Sequence, residues 1–227
     1  MSEKPKNKGS VSSAKALLVL YACPIPYHQV RTRFMGNIAT PVMTASPMQE
    51  IQRIWNNELP IFESKSDAEE FFGVLMQVLW NGLSAHQKRT DPFKLGRIAT
   101  SPASLEFLNR FAQVRREELE GFVDGLFAGQ DEIDLPESAH KAIGILGEMR
   151  AIFAATEQLA AQPASVESIT ETIRHFQQMT RIAETEIKIV IQSCKKARAQ
   201  ALDAGFGKCR TVITVSPGAL LRFVELF

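Results

Sequence analysis

Residues 62–84 read FESKSDAEEFFGVLMQVLWNGLS and have the most regular hydrophobic pattern in the chain. Apolar residues recur at intervals of three and four, the spacing of one face of an α-helix. They are Ala68, Phe71, Phe72, Leu75, Val78, Leu79 and Leu83. Ser66 followed by Glu69 matches the reciprocal capping box, in which each side chain bonds the other residue's amide. The stretch therefore predicts an amphipathic helix that is capped at Ser66 and buries one face.

Helical patterns also precede this stretch. Residues 14–23 form a short apolar segment that ends at a Pro-Ile-Pro sequence, where proline lacks an amide donor. Residues 27–43 repeat apolar side chains every four positions, and Pro41 is expected to end or kink that helix. Ser46 directly before Pro47 is a typical helix start. We therefore expect three helices before the opening stretch.

Three longer helical patterns follow a polar loop that contains proline and glycine. The first is expected to begin at the Ser-Pro pair of residues 101–102 and to end near Gly129 as a left-handed cap. The second begins at Glu137. The third begins at Ser165 and is the longest, as one helix or as two with a break near Thr180.

The predicted fold class is all-α, a multi-helix bundle with a long C-terminal helix. Residues 210–215 are β-branched and strand-like, and the last residues are apolar, so a short irregular or strand-like segment is expected to follow that helix. The predicted organisation is a disordered leader at 1–13, a helical domain at 14–162, and the long helix with its appendage at 163–227.

The formal charge of +1 on 227 residues predicts no general attraction to nucleic acid or to acidic lipid. Residues 117–137 carry acidic side chains without a Lys or Arg, and we interpret this run as a solvated face. The C-terminal region has a basic cluster that is the candidate for contact with a partner. Its members are Lys195, Lys196, Arg198, Lys208 and Arg210.

The three cysteines, Cys23, Cys194 and Cys209, form no Cys-x-x-Cys pair, which argues against disulfides and a zinc site. Reduced thiols fit a cytoplasmic protein. A lipid anchor through Cys23 is the alternative, because a Lys-rich leader and a short apolar stretch precede it. Bulky Tyr21 is unusual near such a cleavage site, so the cytoplasmic prediction is preferred.

The sequence offers no set of catalytic residues. It contains no P-loop, dinucleotide fingerprint, zincin motif or serine elbow, so we predict no cofactor and no metal. Gly144 and Gly147 lie inside a helical pattern and are interpreted as points of close helix packing. Cys194 is the alternative candidate, because the charges of Lys195 and Lys196 beside it could lower the thiol pKa, as in a nucleophilic cysteine.

Several residues together resemble the YecA/YgfB-like family of small bacterial all-helical proteins, over roughly residues 27–153 and without that family's cysteine-rich zinc tail. The matching positions are Gly36, Trp55, Phe62, Ser64, Leu75, Met76 and Asn81, followed by Gly121, Phe122 and Gly125. The family's histidine before the first glycine is Met35 here, and the phenylalanine after it is Asn37. The resemblance implies an all-helical fold, no established enzymatic activity, and in some members regulation through protein partners.

We therefore expect a non-enzymatic helical protein that acts through protein–protein interaction, with an unknown partner and a regulatory role. The alternative is a nucleic-acid-associated regulator that uses the basic region at 195–210. A weaker alternative is a thiol-dependent enzyme at Cys194.

Overall fold

The computed structural model describes residues 11–98, 102–159 and 166–210, and throughout these ranges the regular secondary structure is helical, with no strand. The α-helices are α1 (Val11–Leu20), α2 (Tyr27–Ala39), α3 (Pro47–Ile54), α4 (Lys65–Gly73), α5 (Asn81–Ser84), α6 (Leu105–Phe127), α7 (Glu137–Leu159) and α8 (Val166–Arg210). A π-helical segment, Val74–Trp80, joins α4 to α5, and Ala85–Gln87 form a 3-10 turn. The all-α bundle is confirmed. The strand-like segment expected after Arg210 lies outside the described residues.

Helices α2 and α6 form the closest packed pair of the bundle. A Cβ atom would lie 2.0 Å from the Phe122 carbonyl oxygen if built on Gly36, 2.6 Å from that of Gln29 if built on Gly121, and 1.9 Å from that of Arg33 if built on Gly125. Residue numbers rise together along the two helices, so α2 and α6 run parallel. Their backbones touch because three glycines leave the space for it.

The start of α3 is confirmed, and two other predicted starts were wrong. Ser46 accepts a hydrogen bond from the amide three residues later, at 3.2 Å. Helix α4 is capped by Ser64 in the same way, at 3.2 Å, and not by Ser66. Helix α6 is capped by Ser104, at 3.1 Å, and not at residue 101. Two overlapping Ser-x-x-acid patterns occur at the start of α4, and the serine of the earlier pattern caps the helix.

The opening stretch is anchored by an aromatic cluster. Phe71 lies at its centre, with ring centroids 5.1–5.2 Å from Tyr21, Trp55, Phe62 and Phe72. The Trp55 indole also donates a hydrogen bond of 3.0 Å to the Tyr21 carbonyl oxygen. The cluster ties the last turn of α4 to the residues that directly follow α1 and α3, and such aromatic pairs add to the stabilisation from burial alone.

The π-helical segment was not predicted by the periodicity. Phe71, Leu75, Leu79 and Leu83 are buried and recur every four residues. In an α-helix of about 3.6 residues per turn, a four-residue spacing drifts around the axis. A π-helix has more residues per turn, so side chains spaced by four rotate around its axis in the opposite direction. The π-helical segment therefore offsets the rotation that builds up in the α-helical part. The segment therefore keeps these side chains on one face.

The long helices complete the core. Helix α8 continues past Thr180 without a break and contributes buried side chains to the same core as α6 and α7. Buried positions of α7 are Ala139, Ala142, Leu146, Met149 and Phe153. Ile152 of the same helix is half exposed. The boundary predicted at residue 162 lies outside the described residues and stays a prediction.

Two further expectations have definite outcomes. The first helix, expected at 14–23, occupies Val11–Leu20 and buries Ala14, Leu17 and Leu18. A Cβ on Gly144 or Gly147 would meet no atom within 4 Å, so interpreting them as packing points was wrong.

None of the described helices combines the length and the hydropathy that crossing a membrane requires.

Candidate functional site

A cavity of about 950 Å³ opens between the N-terminal helices and α6. One wall is α1 with the turn that follows it, and another is the start of α2. The extended segment at residues 94–98 and the first half of α6 complete it. The volume is in the range of pockets that hold an organic ligand or a side-chain cluster of a partner. We call it the basic cavity.

Positive side chains dominate the polar lining of this cavity. They are Lys15, Arg31, Lys94, Arg97 and Arg110. Lys94 pairs with Glu184 at 2.8 Å. Among the side chains that the structure describes, no carboxylate pairs with any of the other four. The cavity therefore has an excess of positive charge that a bound anion would neutralise.

Arg31 is the deepest of the four cations. Its Nη1 atom is buried and has no hydrogen-bond partner in the described part of the chain. The guanidinium carbon lies 4.3 Å from the centre of the Phe93 ring, which fixes its orientation. Burial lowers the pKa of Arg31, although the charge of Glu118 opposes this shift. A buried donor without an acceptor leaves a hydrogen bond unmade, which costs free energy.

The single carboxylate of the lining, Glu118, is already occupied. It forms a buried ion pair with Arg115 and accepts a hydrogen bond of 2.6 Å from the Gly96 amide. Arg115 donates in turn to the Gly96 carbonyl at 2.9 Å and to the Thr180 hydroxyl at 3.0 Å. Burial raises the pKa of Glu118, and Arg115 opposes that shift. The network fixes the wall at 94–98, and none of the described residues provides an oxygen to Arg31 Nη1.

The start of α2 adds to the positive potential. Pro26 is the residue before the helix and supplies no side-chain cap to the first amides. Tyr27 and His28 line the cavity at this end, so the positive end of the helix dipole faces it. The imidazole Nε2 of His28 lies 2.7 Å from a carboxylate oxygen of Glu117. This hydrogen bond orients the Glu117 carboxylate towards the imidazole.

The remaining lining is apolar. Leu18, Ile25, Ile98 and Val114 line the interior, and Val11 and Val19 lie at the rim. Val19 is 82% exposed and Leu20 beside it 74%. An exposed apolar rim next to unpaired cations is suited to a ligand that is anionic at one point and apolar at another.

The basic cluster predicted at 195–210 is placed elsewhere and is partly used within the fold. Lys195 donates to the Gln87 carbonyl at 3.3 Å, and Arg198 donates to the Gln87 side chain at 3.1 Å. Lys196 is exposed. Lys208 and Arg210 belong to the end of α8, but their side chains lie outside the described part. The cluster therefore does not present one free basic surface.

The expected pKa of Cys194 was wrong in direction. Its side chain is fully buried, and burial raises the thiol pKa to about 11, against a smaller opposite effect of Arg198. Lys195 beside it points to the Gln87 turn instead. Cys23 is half-buried, and burial raises its thiol pKa as well. Neither thiol has the lowered pKa of a nucleophilic cysteine.

The interpretation of residues 117–137 as a solvated acidic face was wrong for part of this run. Glu118 is buried, and Glu120 bonds Arg116 at 2.8 Å and lies 3.3 Å from Arg150. These carboxylates join α6 to its neighbours and do not form a solvated face. Farther along, Asp131 and Asp134 are exposed as expected. Within the described residues, no three side chains are grouped so as to hold a metal ion.

The residues that carry the family resemblance have structural positions. Gly36, Gly121, Phe122 and Gly125 meet at the crossing of α2 and α6. The others lie in or beside the aromatic core: Trp55 and Leu75 are buried, Phe62 and Met76 partly buried, Ser64 caps α4, and Asn81 is exposed.

Comparison with family models, with curated proteins and with solved structures finds no match for this chain.

Sequence reasoning missed the basic cavity. Arg31, Arg97 and Arg110 are far apart in the chain, and only the fold brings them to one opening. The weak signal was the basic segment at 94–97, which has no acidic residue within it to pair with.

Proposed function

We propose that this protein acts by binding an acidic, partly apolar segment of a partner protein in the basic cavity. The observation that carries the proposal is the group of four cations without carboxylate partners in the described structure, around an opening with an apolar rim. Charge complementarity selects an acidic partner and raises the association rate, while burial of apolar rim residues supplies affinity. The function is binding and not catalysis.

Two features favour a protein partner over nucleic acid. The cations surround a concave opening, whereas a phosphate backbone is best followed by a basic stripe or groove. Val19 at the rim is highly exposed and offers apolar contact that phosphates do not use. Lys195 and Arg198, the centre of the alternative proposal, already bond the Gln87 turn.

The resemblance to the YecA/YgfB-like family supports the same proposal. Its members include regulators that act through protein partners, and its glycine positions coincide with the α2–α6 crossing. Membership of this family remains part of the proposal, as do the cytoplasmic location and the regulatory role.

Site-specific crosslinking in the native cell tests the proposal. A photo-crosslinking amino acid replaces Val19 at the cavity rim, and in a control chain it replaces Ile152, which is exposed on α7. The crosslinked peptide is identified by mass spectrometry. We expect one protein segment with several Asp or Glu residues, captured from Val19 and not from Ile152.

Charge reversal supplies the second arm of this test. The double variant R97E/R110E should lose the crosslink and bind the purified segment at least about tenfold more weakly, as two charge contacts of the cavity are reversed. The matched variant R174E/R181E reverses two exposed arginines of α8 and should retain both. Equal binding by the two variants, capture of a nucleic acid at Val19, or no capture specific to Val19 would overturn the proposal.

A further inference from the structure

The loop between α6 and α7 carries an exposed group of carboxylates. Residues 131–137 read DEIDLPE and contain no Lys or Arg. Ile133 and Leu135 pack against the core and hold the loop in place. Three acidic side chains are exposed and pair with no described cation: Asp131, Glu132 and Asp134. We call residues 131–137 the acidic loop.

The basic cavity has the complementary charge. Three of its cations are exposed and pair with no described carboxylate: Lys15, Arg97 and Arg110. Opposite potentials of this kind orient two surfaces and speed their encounter. A second acidic stretch, residues 63–70, is the poorer match, because it contains Lys65, which pairs with Glu69 at 3.3 Å.

The acidic loop and the basic cavity lie towards opposite ends of α6. The cavity is lined by Arg110, Val114 and Glu118, whereas the loop comes after the last residue of the helix, Phe127. At about 1.5 Å per residue, Val114 is about 20 Å along the helix from Phe127. The apolar residues of the loop anchor it at that end. The two surfaces can therefore meet between two copies of the chain and not within one.

Apolar side chains lie next to both surfaces. Val42 lines a groove together with Gly129 and Gln130, which lead into the acidic loop. Met43 beside Val42 is 56% exposed, and Val19 is the exposed apolar residue at the cavity rim. Burial of such side chains between two copies supplies affinity that surface charge pairs alone do not.

We infer that the partner segment bound in the basic cavity is the acidic loop of a second copy of this chain. The inference rests on the proposed function and names the partner within it. Each copy offers one cavity and one loop on different parts of its surface. The contact therefore joins unlike surfaces, and association continues into a ring or a chain unless two copies pair reciprocally.

Sedimentation velocity of the purified full chain over a range of concentrations tests this contact. We expect reversible association that is at least about tenfold weaker at about 1 M salt than at about 0.1 M, because the screening length falls from about 10 Å to about 3 Å. A chain that stays monomeric up to its solubility limit, or that associates equally at both salt concentrations, would overturn the inference.

Charge reversal identifies the two surfaces. The variants R97E/R110E and D131K/E132K/D134K should each associate at least about tenfold more weakly than the unaltered chain. An equimolar mixture of the two should regain association, because the unaltered loop of the first fits the unaltered cavity of the second, and the reversed loop meets the reversed cavity. A mixture that associates no better than its components contradicts the contact.

Matched controls change the same charge elsewhere. The variant E148K/E167K/E171K reverses three exposed carboxylates of α7 and α8, and R174E/R181E reverses two exposed arginines of α8. Both should associate like the unaltered chain. Equal weakening by these controls would mean that net charge, and not the loop and the cavity, governs association.

The photo-crosslinking amino acid at Val19 separates this inference from the proposed function. In a mixture of isotopically labelled and unlabelled chains, we expect it to capture residues 131–137 of the other copy. Capture of residues 63–70, or of a different acidic protein in the cell without the loop, overturns the inference and leaves the proposed function standing. No capture specific to Val19 in either setting overturns both.

Discussion

At the scale of single residues, burial decides what a polar group can do. Arg31 Nη1 and Asn37 Oδ1 are each buried without a hydrogen-bond partner in the described structure. Cys194 is buried too, but it is a weakly polar group that is inert when surrounded by apolar atoms. The first two groups leave a hydrogen bond unmade, which costs free energy, whereas a buried thiol has little polarity to lose.

Cys194 is expected to resist alkylation in the folded protein. At pH 8 about a tenth of a thiol with the ordinary pKa of 9.0 is ionised, against about a thousandth at a pKa of about 11. Reaction with iodoacetamide should therefore be at least about a hundredfold slower than in urea-unfolded protein, and burial slows it further. Peptide mapping by mass spectrometry measures the rate at this cysteine alone.

The sign of the pH effect follows from the same shift. The thiolate of Cys194 is favoured in the unfolded chain, so its ionisation lowers the free energy of unfolding only as pH rises from about 9 to about 11. A C194S variant should lose this part of the pH dependence and serves as the control. Rapid alkylation of folded wild-type protein at pH 8 would contradict the burial and revive a nucleophilic role.

At the scale of helices, glycine has opposite effects on stability in α6 and in α7. Gly125 of α6 is in backbone contact with α2, whereas Gly144 of α7 faces open space. The G125A variant should be destabilised by about 3 kcal/mol or more, because a carbonyl oxygen that lies 1.9 Å from the new Cβ cannot move alone. Urea denaturation of the purified variant gives the change in the free energy of unfolding.

The matched substitution is G144A. A glycine in an exposed helix interior is worth about 0.5–1 kcal/mol less than alanine, so G144A should stabilise the protein by that amount. G147A should behave in the same way, since its Cβ also meets no atom. A loss of stability in G144A comparable to that in G125A would show that α7 has a packed face at Gly144.

These glycines mark the limit of prediction from the sequence. A helical period identifies which residues share a face, but it does not say which face meets a backbone, so Gly144 and Gly125 look alike. The caps show the same limit: Ser64 and Ser66 each precede an acidic residue by three positions, and one hydrogen bond at 3.2 Å decides between them. Helix existence was predictable because it depends on local spacing.

At the scale of the whole molecule, the sites were not predictable because they are assembled from distant segments. The basic cavity joins α1 to residues of α6 about a hundred positions later. The charge runs that the sequence displays are used differently: Glu118 is buried with Arg115, and Lys195 holds a turn. Local charge density therefore did not indicate where the cations of the basic cavity gather.

The core predicts that α8 unfolds together with the N-terminal helices. Ile187 is fully buried in α8 and belongs to the same core as Trp55 and Leu75, while Ile182 on that helix is 40% exposed. I187A should lower the free energy of unfolding by about 2–5 kcal/mol, and I182A by clearly less. Both tryptophans of the chain, Trp55 and Trp80, lie before α6, so their fluorescence reports on the N-terminal helices.

In urea, tryptophan fluorescence and helical circular dichroism should follow one transition. I187A should shift both curves equally, because the helices share one core and lose the same free energy of unfolding. The predicted boundary near residue 162 gives the opposing expectation. If residues 163–227 form an independent unit, I187A would move the circular dichroism curve and leave the tryptophan curve in place. Coincident curves would instead mean that α8 belongs to one folding unit with the N-terminal helices.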